Sequence, residues 1–249
     1  MSCPRLFVNA DAGGAELVLV GVDHHYLTRV RRLPVGAEVE VVDPAGRAAR
    51  YRIGRATADR VWLQFEETLP PRMLRGALTL LQPLLQRKKL ELAVQKATEL
   101  GVDRIRLVQT DRAVARWIPE ELATRLDRLE RIVLEASRQS RRDAPPALDL
   151  LEGFGALEAP RSGERRLLLA EDPATDALAL ADLVGDEAAQ VVAAVGPEGG
   201  FRPAELEMLR RTGFQSLHLG PLVLRTETAS VLACVAGGLA LGRYARKSP

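Results

Sequence analysis

At Pro70-Pro71 the apolar pattern of this chain changes its period, so the fold must join two layers of different kinds. Upstream, short apolar runs at 5–8, 16–20, 38–42, 50–53 and 61–65 carry the pattern of strands. Asp43-Pro44-Ala45-Gly46 supplies a turn between two of them, and Asp23 can cap a short helical segment with Leu27 and Val30 on one face. This predicts a small β-barrel-like module over residues 1–70. The two prolines close it, because proline cannot continue a strand ladder and restricts the residue before it.

Over residues 73–249 strands alternate with long helices, the mark of an α/β domain with a mainly parallel sheet. Strands are expected at 78–81, 104–108, 167–170, 191–195 and 216–219. Leu90, Ala93, Val94, Ala97 and Leu100 repeat at helical spacing, with Gly101 placed to end that helix in a left-handed conformation. Pro119 opens a second helix along the stripe Leu122, Leu126, Leu129, Val133 and Ala136. The last helix, 226–244, is apolar nearly all round, which predicts burial, and a subunit interface would supply it.

Composition narrows the function classes. A hydrophobic fraction of 47% supports a buried core, and no apolar run reaches the roughly 18 residues that cross a bilayer. The Met-Ser-Cys-Pro start has no signal-peptide pattern, so a cytoplasmic protein without membrane association is expected. Cys3 and Cys234 lie far apart, which argues against a metal site or a disulfide framework. Net charge is only +2, so contact with nucleic acid must rest on clusters. Lysine occurs only at 88, 89, 96 and 247; nearly all positive charge is arginine, from codon usage or because guanidinium forks grip phosphates.

Gly196-Pro197-Glu198-Gly199-Gly200-Phe201 follows the apolar strand 191–195 and precedes a helix opening at Pro203. Ligands collect there in α/β sheets, and glycines let the backbone approach them. The spacing matches neither a dinucleotide fingerprint nor a P-loop. A second loop, Leu219-Gly220-Pro221-Leu222-Val223-Leu224-Arg225-Thr226-Glu227-Thr228-Ala229, also joins a strand to a helix. Thr226 or Thr228 can cap that helix, but capping needs one residue and the loop carries several polar ones. Two such loops at adjacent strand ends would build one pocket.

These two segments resemble the paired signatures of the RsmE-type 16S ribosomal RNA uridine-N3 methyltransferases of the SPOUT superfamily. Gln95 to Val102, Glu135 to Arg141, and Arg5 to Val8 with His25 to Gly36 fit the same family in order, so the resemblance covers essentially the whole chain. It implies a PUA-like β-barrel RNA-binding domain, 1–70, joined to a methyltransferase domain, 73–249, with a deep C-terminal trefoil knot. It further implies S-adenosylmethionine as cofactor, a homodimer, and the small ribosomal subunit as partner.

Gly196, Pro197, Glu198, Gly199, Leu219, Gly220, Leu224, Thr226, Thr228 and Ala229 are then expected around the cofactor. Glu198 or Glu227 is expected to accept the uridine N3 proton, and Arg225 to stabilise the charged base. Arg5, His25, Arg29, Arg32, Arg138, Arg141 and Arg142 are the expected RNA contacts. The chain departs from the family pattern at Arg31, Ala37, Arg202 and Leu222; Leu222 stands where arginine is usual. Two rival readings share parts of this pattern: another SPOUT enzyme acting on ribose or a transfer RNA base, and a non-catalytic RNA-binding assembly factor.

Overall fold

The computed structural model describes residues 3–72, 74–113, 117–170 and 177–244, so Met73 and both ends of the expected domain spans lie outside the described residues. The chain divides into two compact units: residues 3–72 with Ser137–Ala144, and residues 74–136 with 145–244.

In the first unit five strands form one sheet: β1 (Arg5–Phe7), β2 (Glu16–Val20), β3 (Glu38–Val42), β4 (Ala48–Ala56) and β5 (Arg60–Leu69). Their order is β1-β3-β4-β5-β2, antiparallel except for β1 on β3. Alternation places Val39, Val41, Tyr51, Ile53, Val61 and Leu63 inside with Leu6, Leu19 and Leu27. Tyr51 satisfies its buried hydroxyl by donating to the Gly14 carbonyl at 2.8 Å.

The expected turn forms: Asp43 Oδ1 accepts from Ala45 N and Arg47 N at 2.9 and 3.0 Å, and Gly46 takes φ +79°. Desolvation pushes the Asp43 carboxyl up. Hydrogen bonds from the Arg47 and Ala12 amides and from the Arg47 guanidinium outweigh it and hold the group below the ordinary carboxylate range. The short helix is α1 (Gly21–His25), running into a π-helical turn, Tyr26–Val30. Its N-cap is Val20, without a side-chain cap; Asp23 sits in the first turn and faces Arg138 instead.

In the second unit seven parallel strands run in the order β10-β12-β9-β11-β6-β7-β8. They are β6 (Ala77–Pro83), β7 (Arg104–Val108), β8 (Ala147–Leu151), β9 (Glu164–Leu169), β10 (Leu178–Ala179), β11 (Gln190–Val195) and β12 (Gln215–His218). The helices are α2 (Arg87–Glu99), α3 (Pro119–Gln139), α4 (Pro203–Arg211) and α5 (Thr226–Ala240). Gly101, at φ +86°, ends α2 as its position requires. Strand β8 goes beyond the sequence expectation: Asp149 interrupts its apolar run and pairs with Arg106 of β7 at 2.8 Å, an edge-strand device.

Helix α5 packs on β6, β11, β9 and α2 within its own unit, and Val231, Val235 and Leu239 stay half-buried. Gly237 permits the close approach, since a Cβ there would lie 2.4 Å from Leu78 Cδ1. Cys234, buried in this helix, has its thiol pushed up to about 12 by desolvation and is un-ionised at neutral pH.

Topology places the two loops that sequence singled out. After β11 the chain does not return beside it; β12 pairs with β9, on the far side of β9 from β11. Because all three strands are parallel, the turn after β11 and the loop after β12 emerge at the same edge and flank the end of β9.

Candidate active site

At that edge lies a cavity of about 670 Å³. Leu169 at the end of β9 and Ala170 after it, the turn residues Gly196, Pro197, Glu198, Gly200 and Phe201, and the whole loop Leu219 to Glu227 line it, with Ala229 of α5. The two loops singled out by sequence thus share one pocket. Its size is that of a site for a small organic ligand.

The turn is shaped from behind. A Cβ at Gly196 would meet the Phe201 ring at 3.3 Å, and that ring packs edge-on against Phe154 at 5.7 Å. A Cβ at Gly199 would lie 3.1 Å from the Arg112 carbonyl oxygen. Gly199 itself does not line the cavity; Arg112 donates to its carbonyl at 3.4 Å. No side chain caps α4. Glu205 accepts instead from Arg202 N at 2.8 Å and from Asp111 N at 3.2 Å, tying the turn to the segment after β7.

The second loop behaves differently. Arg225 occupies the N-cap of α5 without a side-chain cap bond, so neither Thr226 nor Thr228 caps the helix. Thr226 is buried and lines the cavity, whereas Thr228 is exposed and does not. Arg225 is exposed at the cavity, and its side chain makes no hydrogen bond or ion pair among the described residues.

The charged groups are arranged unevenly. Glu198 Oε1 accepts from Lys89 Nζ at 2.5 Å, while Glu198 Oε2 is buried with no partner. Glu227 Oε2 is likewise buried without a partner. Two shielded, unmatched carboxylate oxygens in one cavity are costly unless a ligand supplies donors. Sequence reasoning omitted Lys89, Arg112 and His218, which also lines the cavity. The one signal for Lys89 is its place in the first turn of α2, where positive charge opposes the helix dipole.

The expected RNA contacts separate by exposure. His25 at the end of α1, Arg29 on the π-helical segment and Arg32 just after it are exposed. Arg5 corrects the sequence expectation: only 2% exposed, it donates to Glu40 at 2.7 Å, to Asp143 and to the Arg142 carbonyl at 2.8 Å, so its guanidinium braces the module's interior. Arg138 is also largely covered, held by Asp23 at 3.2 Å over the Tyr26 ring. Arg141, at φ +57°, and Arg142 are half-buried, and Arg142 donates to the Ala144 carbonyl at 3.0 Å.

Among the described residues no cluster of His, Cys, Asp or Glu is placed to hold a metal, and no helix is long and apolar enough to cross a membrane.

Comparison with known proteins agrees with this geometry. The family described as RNA methyltransferase domain matches residues 72–237, and that described as RNA methyltransferase PUA domain matches residues 23–66. The chain is similar to ribosomal RNA small subunit methyltransferase E of Mycobacterium bovis, 32% identical and covering 93% of this chain and 89% of the relative. With the Aquifex aeolicus protein of the same name identity is 31%, covering 91% and 96%. Among solved structures, ribosomal RNA small subunit methyltransferase E from Neisseria gonorrhoeae bound to S-adenosylmethionine superimposes with a TM-score of 0.83 at 27% identity, covering 94% and 96%. A methyltransferase of Legionella pneumophila in complex with the same cofactor has a TM-score of 0.83 at 25% identity, with the same coverage.

Proposed function

The chain belongs to the RNA methyltransferase family, with a PUA-like domain, and from that premise we propose how its cavity works. It is an S-adenosylmethionine-dependent methyltransferase of 16S ribosomal RNA. Our reading of its target is N3 of a uridine in the small subunit. One observation carries the site assignment: both signature loops line one cavity, and its wall includes Glu198, Glu227 and an arginine whose side chain has no partner among the described residues.

The residues present fit the cofactor. Leu169, Leu219 and Leu224 offer apolar walls, Gly196 and Gly220 let main-chain groups come close, and the shielded oxygens of Glu198 and Glu227 call for donors or positive charge. When bound, S-adenosylmethionine supplies an electrophilic methyl group on a sulfonium. Pro197, Thr226 and Ala229 complete the cavity wall; Gly199 and Thr228, set outside it, support the turn and the first turn of α5.

Uridine N3 carries a proton at neutral pH and becomes nucleophilic only when it is removed. Glu198 or Glu227 is the acceptor, each a residue of the cavity lining. Negative charge then spreads to the flanking carbonyl oxygens, where Arg225 stabilises it. The cavity walls align donor and acceptor and exclude water, which is most of what an in-line methyl transfer requires.

We assign residues 1–70 as an RNA-binding β-barrel domain acting through His25, Arg29 and Arg32, with Arg141 and Arg142 at its margin, and residues 73–249 as a SPOUT domain with a trefoil knot. We also assign a cytoplasmic homodimer. The exposed Leu222 and Val223 and the half-buried Val231, Val235 and Leu239 of α5 support that interface. The test is labelled methyl transfer to small subunits lacking the modification, followed by mass mapping of the nucleotide. Methyl on uridine N3 is expected; no transfer, or methyl on a ribose oxygen, would overturn the proposal.

A further inference from the structure

We propose that Lys89 is a positioning residue for methyl transfer: its ion pair fixes the orientation of the Glu198 carboxylate in the cavity wall. The inference rests on the functional reading above and names a residue outside both signature loops. Lys89 lies in the first turn of α2, and its Nζ is 2.5 Å from Glu198 Oε1 across 109 residues of sequence. No other cation pairs with Glu198 among the described residues.

Three observations separate this contact from an ordinary surface pair. Both side chains line the cavity. The pair is asymmetric, with Glu198 Oε1 held and Oε2 turned away from solvent without a partner, so the lysine sets the orientation of the carboxylate. Arg87, Lys88 and Lys89 fill the first turn of α2 with no acidic residue, an arrangement the helix dipole opposes and helix stability does not explain. A partly exposed ion pair adds little to folding stability, so its placement at the cavity is the feature that needs a reason. A tethered carboxylate keeps its acceptor oxygen at one position, whereas a free one rotates about its own side chain and loses alignment with the reacting atom.

The experiment uses the full chain, S-adenosylmethionine and small subunits lacking the modification, with Lys89→Met, Lys89→Arg, Glu198→Gln and the double variant Lys89→Met/Glu198→Gln. Lys89→Met should lower kcat by about 10- to 100-fold and change its pH profile, while cofactor affinity by calorimetry stays within about threefold. Lys89→Arg, which retains the pair and guards against a folding defect, should recover most of the rate. The double variant should be no slower than Glu198→Gln alone, because the lysine acts through that carboxylate. Wild-type turnover by Lys89→Met, or losses that multiply in the double variant, would overturn the inference alone. Failure of the unaltered protein to methylate 16S ribosomal RNA would overturn the functional reading, and this inference with it.

Discussion

Replacing Arg225 with alanine separates catalysis from folding more cleanly than any other change in the cavity. The side chain is exposed and has no partner among the described residues, so truncation strands no buried group. Such substitutions change stability by no more than about 0.5 kcal/mol, and for a domain of this size the melting midpoint should move by about 2 °C at most. In the reaction the same guanidinium faces charge that appears only as N3 loses its proton. Removing one such donor costs about 100- to 1,000-fold in kcat, or about 2.7–4 kcal/mol. Cofactor affinity should hold, because the interaction exists only with the charged base. Arg225→Lys should fall between, offering a point charge in place of a fork. The assays are single-turnover methyl transfer to small subunits, calorimetry with S-adenosylmethionine, and a melt. Near-normal turnover by Arg225→Ala would remove the residue from the mechanism; a large fall in the melting midpoint would make it structural.

Arg5→Ala should cost about 3 kcal/mol of stability, the low end for a broken buried pair, because Glu40 is left with only the longer 3.8 Å contacts to Arg72 and Arg141; chemical denaturation measures this, and an unchanged midpoint would return Arg5 to the RNA-contact set. Gly199→Ala should weaken cofactor binding by about tenfold, since its Cβ would press on the Arg112 backbone at 3.1 Å and displace the turn; calorimetry decides, and equal affinity would show that the turn tolerates the shift. Asp43 gives a pH dependence: its carboxyl lies below the ordinary range in the fold, so its contribution is complete above the unfolded value of about 3.9 and is lost as pH falls through the folded one. The stability gap between wild type and Asp43→Asn should therefore be larger at neutral pH than in acid, and a constant gap would refute the linkage.

The elements with strong periodicity were legible because one face of each meets a core. The predicted helix forms over Arg87–Glu99, and Gly101, following the Leu100 cap, has the left-handed torsion expected. Strand β8 was hidden because an edge strand carries charge where a central one carries apolar residues. The Asp23 cap did not form, since Arg138, far along the chain, competes for that carboxylate. Arginines read alike in sequence, yet Arg5 is interior and Arg29 exposed, and only packing distinguishes them.

The residue pattern alone determined the two kinds of layer and the two glycine-bearing and polar turns, because hydrophobic period and backbone torsion are local properties; that residues 137–144 join the first unit was not among them. Tertiary structure decided that β12 pairs beyond β9, that both turns therefore open into one cavity, and that Lys89 reaches Glu198 across 109 residues. Those are matters of which distant segments become neighbours, and proximity of that kind is set by how the whole sheet packs, not by any local run of residues.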